Sequence, residues 1–100
     1  MNGIKDKKML IESIEDADIL SSGQKKVLNI ICNSDYPLSA SSILDMMGSS
    51  KQAVHFSIKR LLDRNFIGRK KDRVFVYEPN KIRILELVER YNQKLQAKQK

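Results

Sequence analysis

The apolar pattern of the chain changes from helical to strand-like at Asn65, and that change limits what the sequence can build. Before it, Val54, Ile58, Leu61 and Leu62 recur at i, i+4, i+7 and i+8, one stripe on an amphipathic helix. After it, Phe66-Ile67-Gly68-Arg69-Lys70 and Val74-Phe75-Val76-Tyr77-Glu78 read as β-type segments. Lys71-Asp72 between them makes a hairpin, which Pro79 and Asn80 close. A helix running straight into a short hairpin leaves few architectures open.

The segments upstream narrow them further. Ser50 is placed as an N-cap whose hydroxyl reaches the amide of Gln52 or Ala53. Ile43, Leu44, Met46 and Met47 form a helix of about two turns, capped from Leu38-Ser39-Ala40-Ser41-Ser42 and ended by Gly48 in the left-handed conformation. Asn33-Ser34-Asp35-Tyr36-Pro37 is a stop and turn, because Asn, Asp and Ser bond their own backbone and Pro fixes φ. Before it, Ser22 caps a helix to Asn33 that is apolar nearly all round at Val27, Leu28, Ile30, Ile31 and Cys32, as a core helix is. A first helix is expected over residues 4–18, with Ile4, Ile11 and Ile14 near helical spacing. A last one starts at Lys81, marked by Ile84, Leu87, Val88, Tyr91 and Leu95, and leads to a polar tail at 96–100 expected to fray. One hundred residues suffice for one domain.

Charge is unevenly spread. The net charge of +7 divides into −2 over residues 1–20, zero over 21–48, +5 over 49–78 and +4 over 79–100. A basic region confined to the second half suits a polyanion; a solvated, lysine-rich surface is the plainer account. No apolar stretch approaches the roughly 20 residues that span a bilayer, and no membrane partner is expected. The start of the chain lacks a signal-peptide apolar run, and one cysteine, Cys32, suits a reducing compartment, so a cytoplasmic protein is expected. One Cys and one His make no metal-ligand set. Nor is there a phosphate-cradling glycine loop or a nucleophile with a placed base. No enzyme, cofactor or metal is expected, nor a small-molecule effector, since no pocket is evident.

The stretch from Leu38 to Glu78 resembles the winged helix-turn-helix family, its MarR-like branch in particular. The resemblance lies in Ser41-Ser42-Ile43-Leu44-Asp45-Met46-Met47, then Gly48-x-Ser50-Lys51-x-x-Val54, Ile58-Lys59-Arg60-Leu61, Asn65-Phe66-Ile67, basic residues and a strand. Asn65 stands where glycine is usual, and asparagine is the commonest substitute in that left-handed conformation. The expected fold is mainly α with a small β-hairpin wing, an α+β winged helix-turn-helix over 21–79 between terminal helices at 1–20 and 80–100. The resemblance also implies a homodimer built by the chain termini. Ile11, Ile14, Ile84, Leu87, Val88, Tyr91 and Leu95 are its candidates, with packing of the first helix onto the last in one chain as the competing account. The implied function is sequence-specific binding of double-stranded DNA by a homodimeric transcriptional regulator, a repressor. A plasmid-maintenance or architectural DNA-binding protein, or a winged-helix module for protein contacts, would share these residues.

Physical chemistry assigns the roles independently of family. A helix fits the major groove of B-DNA, and its first turns reach base edges. With the Val54 stripe facing inward, the other face shows Lys51, Gln52, His55, Phe56, Lys59 and Arg60. Gln52 suits adenine and Lys51 the acceptors of guanine. His55 is placed for a base edge or a phosphate, and Lys59 and Arg60 for phosphates or plain solvent. Ser49 and Ser50 at the helix start suit a phosphate oxygen. Phe56 lies off the stripe: it is either a core aromatic packed under the first helix or a contact for a thymine methyl. In the wing, Arg69, Lys70, Lys71 and Arg73 fall within five positions, suited to backbone or minor groove.

Overall fold

A computed structural model describes residues 7–98 of the chain. Five helices and three strands follow in the order α1 (Lys7–Glu15), α2 (Ser22–Cys32), β1 (Leu38–Ser39), α3 (Ala40–Met47), α4 (Lys51–Asp63), β2 (Ile67–Asp72), β3 (Val74–Pro79) and α5 (Lys81–Lys98). The strands form one antiparallel sheet in the order β1-β3-β2. This is the expected α+β winged helix with one strand more than the hairpin. Leu38 pairs with Tyr77 and Ser39 with Val76, so the segment read as a capping loop doubles as a strand. Two residues are too few to show a period of two.

Local chemistry sets most boundaries. α2 is capped by Ser21 rather than the neighbouring Ser22: the Ser21 hydroxyl accepts from the Gln24 amide at 3.3 Å, and the Gln24 side chain accepts from the Ser21 amide at 3.4 Å. That reciprocal pair satisfies two backbone donors that a helix start otherwise leaves open. Ser39 caps α3 by accepting from Ser42 at 3.1 Å, and Gly48 ends it at φ 67°. Asn65 has φ 63°, as expected where a helix passes directly into a strand. The Phe66 amide then donates back to the Leu61 carbonyl at 3.0 Å, closing the end of α4.

α1 is shorter than the expected span of 4–18. It ends at Glu15, and turns at Ala17 and Leu20 follow; Ile4 lies outside the described residues. Lys25 Nζ donates to the Glu15 carbonyl at 2.5 Å, and Asn29 Nδ2 to its carboxylate at 3.2 Å, so α2 holds the end of α1. α5 stays helical through Lys98 where a frayed tail was expected; residues 99 and 100 lie outside the described part.

One core joins all layers. Leu10, Ile14, Val27, Leu28, Ile31, Ile43, Val54, Leu61, Phe66 and Ile84 are each at most 2% exposed. Ile14 and Ile84, candidates for a subunit interface, are therefore buried within the single chain. The reason is geometric: α1 packs on both α2 and α5, so the inner line of each stripe is covered before a second copy arrives. Lys94 Nζ binds Asp16 Oδ2 at 3.0 Å across the same contact, and that hydrogen bond and charge hold the ammonium above its usual range. Desolvation, followed by the charges of Glu12 and Asp16 and a hydrogen bond with Glu12, raises the Tyr91 phenol likewise.

Candidate nucleic-acid interface

The α3–turn–α4 unit fixes one helix with its start pointing outward. Gly48 reverses the chain at a positive φ that a side chain at this position would resist, and Ser50 Oγ accepts from the Ala53 amide at 3.1 Å. α4 is seated by Val54, Ser57, Ile58 and Leu61, all buried, against α2 and α3. Gly23 of α2 lies beside this seat: a Cβ there would stand 3.4 Å from Ser57 Oγ, so small residues let the two helices approach.

The opposite face of α4 is open. Ser49, Ser50, Lys51, Gln52, His55, Phe56, Lys59 and Arg60 are all exposed, which is where the sequence puts them. Among the described residues, no hydrogen bond or ion pair engages the side chains of Lys51, Gln52, His55, Lys59 or Arg60. Phe56 is 62% exposed, which removes the account that packs it under the first helix. Asp63, one of the exposed residues at the far end, is the single acid in α4.

Strand pairing sorts the wing cations onto two faces. Arg69 lies opposite Tyr77 and Lys71 opposite Phe75, so these four share one face. Arg69 and Lys71 both lie over the Phe75 ring, 4.3 and 4.5 Å from its centroid. Lys70 is on the other face, paired with Glu78 at 3.3 Å. The reversal is centred on Arg73, at φ 63°, with Asp72 opposite Val74, and not on Lys71-Asp72. The four cations are thus partly compensated within the chain by a ring and a carboxylate. Arg73 alone projects from the tip without such a partner among the described residues.

Between α4 and the wing lies an open cleft of about 740 Å³, lined by His55, Lys59, Asp63, Arg69 and Tyr77. Tyr77, 8% exposed, is its most buried aromatic lining. His55, Lys59 and Asp63 of α4 and Arg69 of β2 therefore border one groove. His55 also borders a second recess, beside Ala40, Leu44 and Lys51 of the helix-turn-helix.

Outside this surface, Cys32 is 5% exposed, and burial pushes its thiol up to about 12. A thiol so buried is held in its protonated, unreactive form at neutral pH. A thiol-specific reagent is expected to label the native protein far more slowly than the urea-unfolded chain; equal rates would show that the thiol is accessible. No group of three or more potential metal ligands occurs among the described residues, and none of their helices is long and apolar enough to cross a membrane.

The remaining terminal candidates are not all alike. Leu87, Val88, Tyr91 and Leu95 are half-buried, and Ile11 is 41% exposed. The sequence stripe omits Ile82 and Leu85, at 74% and 41% exposure, which carry apolar surface on the outer side of α5. Their spacing of three is a helical one, but two residues make too short a signal beside the stronger inner stripe.

No family model and no curated protein sequence matches the chain. Solved structures do. A Listeria innocua protein of unknown function aligns over 91% of this chain and 70% of its own, at 26% identity and a TM-score of 0.60. The Mycobacterium tuberculosis protein RV1404 aligns over 91% of this chain and 66% of its own, at 18% identity and a TM-score of 0.63. A MarR/EmrR family transcriptional regulator from an Acinetobacter species aligns over 92% and 68%, at 16% identity and a TM-score of 0.62. The chain spans about two-thirds of the length of each. The five helices and three-stranded sheet share the winged-helix fold of these solved structures.

Proposed function

We propose that the chain is a transcriptional regulator that binds double-stranded DNA as a cytoplasmic homodimer, placing α4 in the major groove and the wing against the backbone beside it. The observation that carries this reading is the open face of α4: five polar or cationic side chains with no partner among the described residues, next to a wing whose Arg69 borders the same cleft. Side chains held ready at the start of a helix match the way helix-turn-helix proteins meet base edges. Occupation of an operator makes repression the simplest outcome. The reading assigns no catalysis, cofactor or metal.

Salt dependence tests it. Binding to random duplex is expected to weaken steeply with salt, with a slope of about 0.9 for each phosphate neutralised. Lys71→Ala and Arg73→Ala are each expected to flatten that slope by about 0.9 and to weaken binding to every sequence alike. Binding that ignores salt, or a failure to bind duplex at all, would instead favour a winged helix that contacts protein.

Dimerisation falls to what the intrachain packing leaves uncovered: Ile11, Ile82 and Leu85, with the half-buried Leu87, Val88, Tyr91 and Leu95 at the edge. Removal of residues 81–100 would not isolate this role, because Ile84 is 0% exposed and its loss opens the core. The double variant Ile82→Lys, Leu85→Lys spares the core. Sedimentation is expected to show a folded monomer; an undisturbed dimer would place the interface on another face.

A further inference from the structure

We propose that Phe56 is a specificity-determining residue, reading the 5-methyl group of a thymine in the major groove, one or two base pairs from the pair that Gln52 contacts. The inference rests on the regulator reading above and adds to it an apolar contact at a defined place in the half-site.

The other two phenylalanines of the chain are accounted for. Phe66 is 1% exposed beneath the Arg83 guanidinium, and Phe75 carries Arg69 and Lys71 over its ring. Phe56 is 62% exposed, and among the described residues no cation lies over it. Its neighbours on the helix surface are Gln52 and Ala53 one turn before, and Lys59 and Arg60 one turn after. Ala53 is exposed and small, so the ring is open on that side.

The surface that covers this ring must therefore bring anions to Lys59 and Arg60, an acceptor or donor edge to Gln52, and an apolar group to Phe56. A major groove with thymine offers all three: phosphates at the rim, base edges on the floor, and a methyl group projecting from thymine C5. An apolar protein groove supplies no anions, which favours DNA as the occupant. Four residues of helix advance about 6 Å, a little under two base-pair steps of about 3.4 Å each, which sets the thymine's distance from the Gln52 contact. Asp63 lies seven residues beyond Phe56, two turns on, where the helix leaves the groove, so its charge does not oppose this contact.

The test uses the full chain. A duplex is selected from a random pool, and each thymine in it is replaced in turn by deoxyuridine, which keeps the hydrogen-bonding edge and lacks only the methyl. Wild-type protein is expected to lose affinity about fourfold at one thymine per half-site, the worth of one methyl taken out of water. Phe56→Ala is expected to bind the selected duplex less tightly and to lose sensitivity to deoxyuridine at that position alone, whereas Phe56→Leu keeps part of it. As an exposed residue, Phe56 leaves folding unaffected when replaced, which an unchanged thermal midpoint verifies. A chain that selects no duplex overturns the regulator reading and this one with it. A chain that selects a duplex but tolerates deoxyuridine everywhere, or loses equally with Phe56→Ala, overturns the Phe56 assignment and leaves the regulator reading standing.

Discussion

Alanine at both Gln52 and His55 is expected to lower operator affinity by about 2–6 kcal/mol, at about 1–3 kcal/mol for each base contact, while binding to random duplex is nearly kept. Both side chains are exposed, face away from the Val54 and Ile58 seat, and have no partner among the described residues. Their removal is accordingly expected to change folding stability by no more than about 0.5 kcal/mol. That separation makes the result decisive, since a loss of fold would weaken specific and random binding together. Titrations of the variant on selected and random duplexes at one salt concentration measure it. His55 borders both the wing cleft and the recess beside Lys51, so its share is read from the single variants. Undiminished discrimination in the double variant would mean that another surface enters the groove.

Much of the winged unit is legible in the sequence because local rules govern it. Gly48 and Asn65 announce left-handed residues at the two places where the chain turns hard, and both φ angles are positive. Ser50 announces a cap, and the Val54 stripe announces which face of α4 is hidden, hence which is left for a ligand. The cap of α2 falls on Ser21 rather than Ser22 because adjacent serines offer equal hydroxyls, and only the position of Gln24 three residues on separates them. The wing turn moves to Arg73 because strand register, and not turn propensity, decides where the chain reverses. An arginine at positive φ, unlike the asparagine at 65, gives little local warning.

The terminal helices show a different limit. A stripe such as Ile84, Leu87, Val88, Tyr91 and Leu95 states that one face is covered; it does not state by what. Tertiary packing answered for Ile84 and Ile14 within one chain. The outer pair Ile82 and Leu85 is too short a signal by itself and emerges only when the inner face is seen to be full. Phe56 is the same lesson reversed, an aromatic off the stripe that a hidden site elsewhere in the core could have claimed.

Phe66→Ala is expected to have the largest effect on the fold, a loss of about 3–5 kcal/mol. Phe66 is 1% exposed, its amide donates to Leu61 at 3.0 Å, and its carbonyl accepts from the Asn80 amide at 2.9 Å. Asn80 Nδ2 also bonds the Asn65 carbonyl at 2.9 Å, so the end of α4, the foot of the wing and the start of α5 meet at this ring. Arg83 lies 4.5 Å above it and donates from Nε to the Arg64 carbonyl at 3.3 Å. The cation contributes about 0.5–1 kcal/mol in such a half-exposed setting, much less than the ring's own burial. Arg83→Met is therefore expected to cost no more than about 1–2 kcal/mol, with the lost hydrogen bond included. Against a total stability of about 5–15 kcal/mol, the alanine variant sits near the threshold of folding. With a urea slope of about 1–3 kcal/mol per molar, its midpoint falls by at least about 1 M. Phe66→Leu retains most of the volume and separates a cavity from a failure to fold: its loss should be less than half that of alanine. A Phe66→Ala midpoint within about 0.3 M of wild type would mean that the wing and α5 are not held through this ring, and that the groove between α4 and the wing is set by other contacts.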